Sequence, residues 1–160
     1  MIKLLRIDDR LLHGQVAFSW SNVLSITKII IANDAAAEDE ITKMMLGIAK
    51  PRGTDLRVLS IANSIDVIRG HLTDRNNVMV IVNCVADGYA IVEEVPEITS
   101  LNFGGLKEKR GQPSKRFTGS VTLTMDEVEL CRKMLAKGIE LEIRQVPEEK
   151  KNQITTSVLG

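Results

Sequence analysis

The sequence predicts a single-domain α/β fold: a doubly wound, mostly parallel sheet of about seven strands with helices on both faces. Three observations predict it. Short β-rich runs alternate with helical patterns along the whole chain, each punctuated by Asn, Asp, Gly or Pro. The runs Ile29-Ile30-Ile31 and Val78-Met79-Val80-Ile81-Val82 are continuously apolar instead of alternating, as expected of strands covered by helices on both faces. With 160 residues, 44% of them apolar and 26% charged, the chain can bury one core and does not have the composition of a disordered segment.

Taken in order, the first strand is Ile2 to Ile7, stopped by Asp8-Asp9, and the first helix Gln15 to Leu24 carries Val16, Phe18 and Trp20. A second strand, Lys28 to Ala32, ends at the turn residues Asn33-Asp34, and a helix follows from Glu38 to Ala49. Strand Leu56 to Ser60 leads into helix Ile61 to His71, and strand Val78 to Asn83 into helix Val85 to Val92. Strand Ile98 to Phe103 meets Gly104-Gly105, a pair that lets backbone approach a neighbour closely or simply turns the chain. Strand Ser120 to Leu123 precedes a helix from Asp126 to Lys137, in which Val128, Cys131, Met134 and Leu135 share one face. Thr124 with Glu127 forms a capping-box pattern, and Gly138 stops that helix. The last strand is Ile139 to Val146, and the polar tail 147–160 reads as partly loose. Met44, Met45 and Met134 read as core filler, and Cys84 and Cys131 as reduced, small core hydrophobes.

Charge and length exclude several functions. Lys and Arg total 21 against 21 Asp and Glu, so no global field draws nucleic acid or an anionic bilayer, and five aromatic residues make no stacking platform for bases. No apolar run reaches the roughly 20 residues of a membrane span, and Met1 to Arg10 does not read as a signal peptide, so a cytoplasmic protein, at most peripheral to the membrane, is expected. Neither nucleotide-binding glycine motif occurs, and no cluster has metal-ligand spacing, so neither cofactor nor metal is expected.

In a sheet of this kind, ligands gather beyond the carboxyl ends of the strands. The segment Arg6-Ile-Asp-Asp-Arg-Leu-Leu-His-Gly-Gln15 places two arginines, two aspartates and a histidine there. His13 lies just before a helix whose amides at Gly14 and Gln15 favour an anion. Arg10 offers a planar fork for phosphate oxygens, with Arg6 as a second cation, and Asp8 or Asp9 could hold one imidazole nitrogen. This is a layout for phosphohistidine; a surface histidine beside a salt-bridged turn is the plainer alternative. Asn33, Asp34, Gly104 and Gly105 fall at the same end of the sheet. The basic loop from Lys107 to Arg116, with Lys109 and Arg110 at its middle, could steer an acidic partner. His71 reads as a helix-terminal or surface residue, and Phe117 as core.

The string RIDDRLLHGQVAFSW resembles the amino-terminal signature of the IIB subunits of bacterial phosphoenolpyruvate-dependent sugar phosphotransferase systems, in the mannose/fructose/sorbose family. IIIANDAAAEDE, IAKPRG, LNFGGL and KGIELEIRQVP resemble that family's segments at the expected spacing. Leu12, where Ile is frequent, and Phe103, where Val is usual, depart from the pattern without touching its chemistry. The resemblance implies that His13 accepts a phosphoryl group from a IIA phosphohistidine and passes it to a sugar carried by the membrane subunits IIC and IID, with Arg10 and Asp8 at the matching positions. Neither the sugar nor the oligomeric state, monomer or homo-oligomer, is legible. Two alternatives stand beside this reading. One is a small-molecule phosphatase or mutase using His13 as nucleophile, which wants a second histidine; the other is a non-catalytic regulatory module on the same fold.

Overall fold

The computed structural model describes all 160 residues. Nine strands form: β1 (Ile2–Asp8), β2 (Lys28–Ala32), β3 (Asp55–Leu59), β4 (Val78–Val82), β5 (Ser100–Gly105), β6 (Ser114–Arg116), β7 (Thr122–Thr124), β8 (Glu140–Ile143) and β9 (Asn152–Ile154). The helices are α1 (Gly14–Leu24), α2 (Asp34–Glu38), α3 (Glu40–Ala49), α4 (Ile61–Gly70), α5 (Val85–Glu94), α6 (Met125–Ala136) and α7 (Thr156–Leu159). The main sheet runs β3-β2-β4-β1-β5-β8-β9, parallel throughout except for the β8-β9 pair.

Both faces of the sheet are covered, which is why the central strands read as continuous apolar runs. On one face Ala17 and Trp20 of α1, Ala36 of α2 and Leu46 of α3 pack on Ile29, Ile31, Met79 and Ile81. On the other, Ile68 of α4, Val85, Ile91 and Val92 of α5, and Val128, Cys131 and Met134 of α6 pack on Leu5, Ile7, Ile30, Val80, Leu101 and Phe103. Helix α1 therefore leaves β1 toward one face, whereas α5 leaves the neighbouring β4 toward the other. The crevice between such diverging crossovers is where an α/β sheet exposes backbone to ligands.

Several expected elements change. The sheet has seven strands, but 120–123 is not among them: Thr122–Thr124 pairs with Ser114–Arg116 in a separate two-stranded ribbon. The seventh place is taken by β9, from the tail expected to be loose, where Ile154 and Leu159 anchor the end of the chain in the core. The helix expected over 38–49 breaks at Asp39, because its extended backbone and its carboxylate, which accepts from the Ile41 amide at 3.1 Å and the Thr42 hydroxyl at 2.8 Å, start a new helix there. Gly104 and Gly105 lie within β5 and form no turn. Met44 and Met45 point to solvent, 62 and 63% exposed, and are not core.

Other expectations are met. The capping box at α6 forms, with the Thr124 amide donating to Glu127 at 2.9 Å and the Glu127 amide to the Thr124 hydroxyl at 3.2 Å. Cys131 is the expected core thiol, whose pKa burial pushes up to about 12, but Cys84, also expected in the core, is only half-buried because it caps α5 at the end of the sheet. His71 caps α4, and Phe117 packs partly buried against the core. No helix is long and apolar enough to cross a membrane.

Candidate active site

His13 sits at the amino cap of α1, and its side chain is solvent-exposed with no hydrogen bond to the helix. The first intrahelical bond runs from the Ala17 amide to the His13 carbonyl at 2.9 Å, so the amides of Gly14, Gln15 and Val16 have no backbone partner. No acidic side chain occupies the first turn. A partial positive charge at that terminus is therefore available to an anion carried on His13. The approach to the helix is fixed locally. Leu11 holds a left-handed φ of 58°, its amide bonds the Asp8 carbonyl at 2.9 Å, and Leu12 is buried with Trp20 beneath α1.

Arg10, three residues before His13, is the aimed cation. Asp8, 1% exposed, accepts from Arg10 Nε at 3.1 Å, Arg10 Nη2 at 3.2 Å and the Arg10 amide at 3.0 Å. The hydrogen bonds it donates to Asp8 hold the Arg10 guanidinium's pKa above its usual value. Asp8 also receives Arg6 Nη2 at 3.2 Å, so one buried carboxylate is clamped between two guanidinium groups. Such a pair holds together only when its remaining donors and acceptors are satisfied.

They are satisfied by a network that sequence reading missed. Arg6 Nη1 donates to Asn102 Oδ1 at 2.6 Å and to the Arg144 carbonyl at 3.0 Å. Asn102 Nδ2 donates to Glu142 Oε1 at 2.9 Å, and Glu142 in turn accepts both Nε and Nη2 of Arg144, at 3.0 and 3.1 Å. Arg6 and Arg144 lie over the Trp20 ring at 5.8 and 5.0 Å, while the indole N–H donates to the Gln145 carbonyl at 3.0 Å. A signal was present in the chain: Asn102 interrupts an apolar strand, and Glu142 and Arg144 alternate with Leu141 and Ile143 along and just past the strand next to it.

Gly104 is glycine because of Arg6. A Cβ at that position would lie 2.1 Å from Arg6 Nη2 and 2.2 Å from Cζ, inside the space the guanidinium fills. Gly105 is less constrained, since a Cβ there would meet Asp8 Oδ1 at an ordinary 3.6 Å.

Two expected roles are corrected. Arg6 is 2% exposed and lies beneath Gly104, with both Nη groups already engaged, so it positions Asp8 and does not reach a phosphate. Burial lowers its pKa, opposed by Asp8. Neither aspartate holds the His13 ring: Asp8 serves the two arginines, and Asp9 Oδ2 accepts the Lys107 amide at 2.8 Å. Asn33 and Asp34 follow β2 at the carboxyl end of the sheet as expected, the first capping α2 through the Ala36 amide and the second, the first residue of α2, accepting the Ile61 amide.

The basic loop borders the site through different residues from those singled out. Lys109 pairs with Glu127 at 2.8 Å, and Arg110 stands exposed without an ionic partner. Lys115 is tied to the Val158 carbonyl at 2.7 Å. Lys107 and Arg116 are the cations that line, with Arg10, an open polar crevice of about 440 Å³. The second histidine is remote. The amino group of Met1 donates to the His71 carbonyl at 2.6 Å, so His71 lies at the far end of β1, a seven-residue strand roughly 20 Å long. A catalytic pair of histidines, which the phosphatase or mutase reading wants, does not form.

Comparison with known proteins points the same way as this geometry. Residues 2–159 match the family model described as the sorbose subfamily IIB component of the phosphotransferase system. The chain is 37% identical over 139 residues to a probable phosphotransferase enzyme IIB component of Streptococcus pyogenes, covering 85% of each. It is 34% identical to the mannose-specific EIIAB component of Escherichia coli, where 94% of this chain spans 46% of that longer protein. Among solved structures, the IIBSor domain of the sorbose permease from Klebsiella pneumoniae superposes with a TM-score of 0.86 at 31% identity, covering 95% of this chain and 92% of that one.

Proposed function

Because the chain belongs to the sorbose-subfamily IIB components of the phosphotransferase system, a family of sugar-transport phosphocarriers, we propose that His13 is the residue that carries the phosphoryl group. A His13 ring nitrogen attacks phosphorus as the P–N bond to the imidazole of a phosphorylated IIA protein breaks, and the group later leaves His13 for a sugar bound by the membrane subunits IIC and IID. Transfer between two imidazoles asks for positioning and for donors around the three equatorial oxygens more than for covalent help. Arg10 supplies a fork held in place by Asp8, and the amides of Gly14 and Gln15 supply backbone donors.

The single observation that carries this reading is the exposed His13 at an uncapped helix terminus, three residues after an arginine fixed by a buried carboxylate. Exposure suits a residue that must meet two other proteins in turn. Incubation with phosphoenolpyruvate, the general phosphotransferase proteins and a IIA protein is expected to yield one acid-labile, base-stable phosphoryl group per chain. Label on any residue other than His13 overturns the assignment.

Arg10→Lys is expected to slow transfer about a hundredfold although the charge is kept, because an ammonium cannot reproduce the fork on two oxygens or the paired bonds to Asp8. Rapid-quench kinetics check this; a wild-type rate would take Arg10 out of the transition state. Reversing Lys107 and Arg116 to Glu is expected to slow association with a phosphorylated IIA protein about tenfold at low salt and to flatten its salt dependence. Transfer within the formed complex should change little. Stopped-flow mixing across a salt series separates the two steps, and an unchanged association rate would reduce the loop to solvated surface.

A further inference from the structure

We propose that the outward face of α3 is a self-association surface, on which a second copy of this chain lies antiparallel about a two-fold axis passing between Met44 and Met45. The helix buries Leu46, yet Ile41, Met44, Met45 and Ile48 are 66, 62, 63 and 80% exposed. At 100° per residue these four fall in a stripe about 100° wide, centred roughly 150° from Leu46. Their i, i+3, i+4, i+7 spacing is the one by which a helix docks along another helix. Together they present roughly 500 Å² of apolar surface, near the upper end of what a soluble monomer exposes in one patch.

The charges at the two ends of the stripe say what covers it. Glu40 and the cap Asp39 stand at the start of α3 with Glu38, the last residue of α2, just before them, and Lys50 and Arg52 lie beyond its end, all exposed. Three of the five have partners within the chain: Asp39 caps the helix, Glu40 pairs with Lys43 at 3.2 Å, and Lys50 donates to the Thr54 carbonyl at 2.6 Å. Glu38 and Arg52 have neither an ion pair nor a side-chain hydrogen bond. An antiparallel register that sets Ile41 against Ile48 of the partner subunit also sets Met44 against Met45 of the partner subunit. Antiparallel docking also sets the acidic end of α3, with Glu38 just before the Asp39 cap, toward the basic end of the other copy, with Arg52 of the partner subunit in the turn beyond its helix. One arrangement thus matches every apolar residue of the stripe and sets opposite charges against each other at both ends, and two-fold symmetry makes each contact occur twice. An apolar stripe with acid at one end and base at the other is complementary to its own reverse, whereas an anionic membrane would be repelled at the acidic end.

About 500 Å² per copy is less than the roughly 800 Å² per partner of a standard stable interface, so the association is weak and reversible. No residue of the His13 site belongs to the stripe. Sedimentation velocity from about 5 µM to about 1 mM is expected to show a reversible monomer–dimer equilibrium. Met45→Lys is expected to weaken it by at least about a hundredfold. Glu38→Arg and Arg52→Glu should each weaken it by roughly tenfold, and the double reversal should restore it. Circular dichroism and phosphoryl acceptance should be unchanged in all four variants. A chain that stays monomeric over the whole range, a dimer that survives Met45→Lys, or a double reversal that fails to restore association each overturns the proposal.

Discussion

His13→Ala is expected to abolish phosphoryl acceptance, with incorporated label falling below detection, while thermal stability stays within about 0.5 kcal/mol of wild type. The asymmetry follows from the position of the residue. Its side chain is exposed and makes no hydrogen bond, so removal leaves no cavity and no orphaned partner. His71→Ala is the matched control. It should keep full acceptance, because that residue lies at the opposite end of β1, where it pairs with Asp74 and serves the amino terminus. Label retained in His13→Ala and lost in His71→Ala would move the chemistry to the other end of the sheet.

Gly104→Ala is expected to be the most destabilising single methyl in the molecule, at about 3–5 kcal/mol. The added carbon occupies the place of the Arg6 guanidinium. Displacing Arg6 takes away one of the two cations on the buried Asp8 carboxylate and leaves Asn102 without its donor. Because Asp8 also aims Arg10, transfer should slow in whatever fraction remains folded. Gly105→Ala, one residue on, meets only an ordinary van der Waals contact and should cost less than about 1 kcal/mol. Urea unfolding of the pair decides it. Equal losses at the two positions would mean that the Arg6 contact does not govern the site.

The apolar strands were legible because burial on both faces writes itself as unbroken Ile and Val, and α6 because its capping box and glycine stop are local signals. The carboxyl end of β1 was legible as a site because five polar residues converge there by chain order alone. What escaped were pairings set by distant segments. The partner of β7 is the polar, three-residue β6, which carries no strand pattern of its own, and β9 is stabilised by two buried anchors, Ile154 and Leu159, in an otherwise polar tail. Arg6 looked like a phosphate ligand because nothing near it in the sequence announces that Asn102 and Glu142 will stand beside and beyond it, 96 and 136 positions later. The Gly104-Gly105 pair suggested close approach or a turn; only the packed structure identifies the approaching group as a guanidinium.

Trp20 is the one tryptophan in the chain, and it lies under two arginines with its N–H on the Gln145 carbonyl. An indole in that position has its emission governed by the same groups that hold Arg6, and through Asp8, Arg10. The molecule therefore contains an intrinsic fluorophore wired to its own reactive loop. Any event at His13 that shifts those guanidinium groups has an optical readout in the unmodified protein, with no label and no second tryptophan to confuse it.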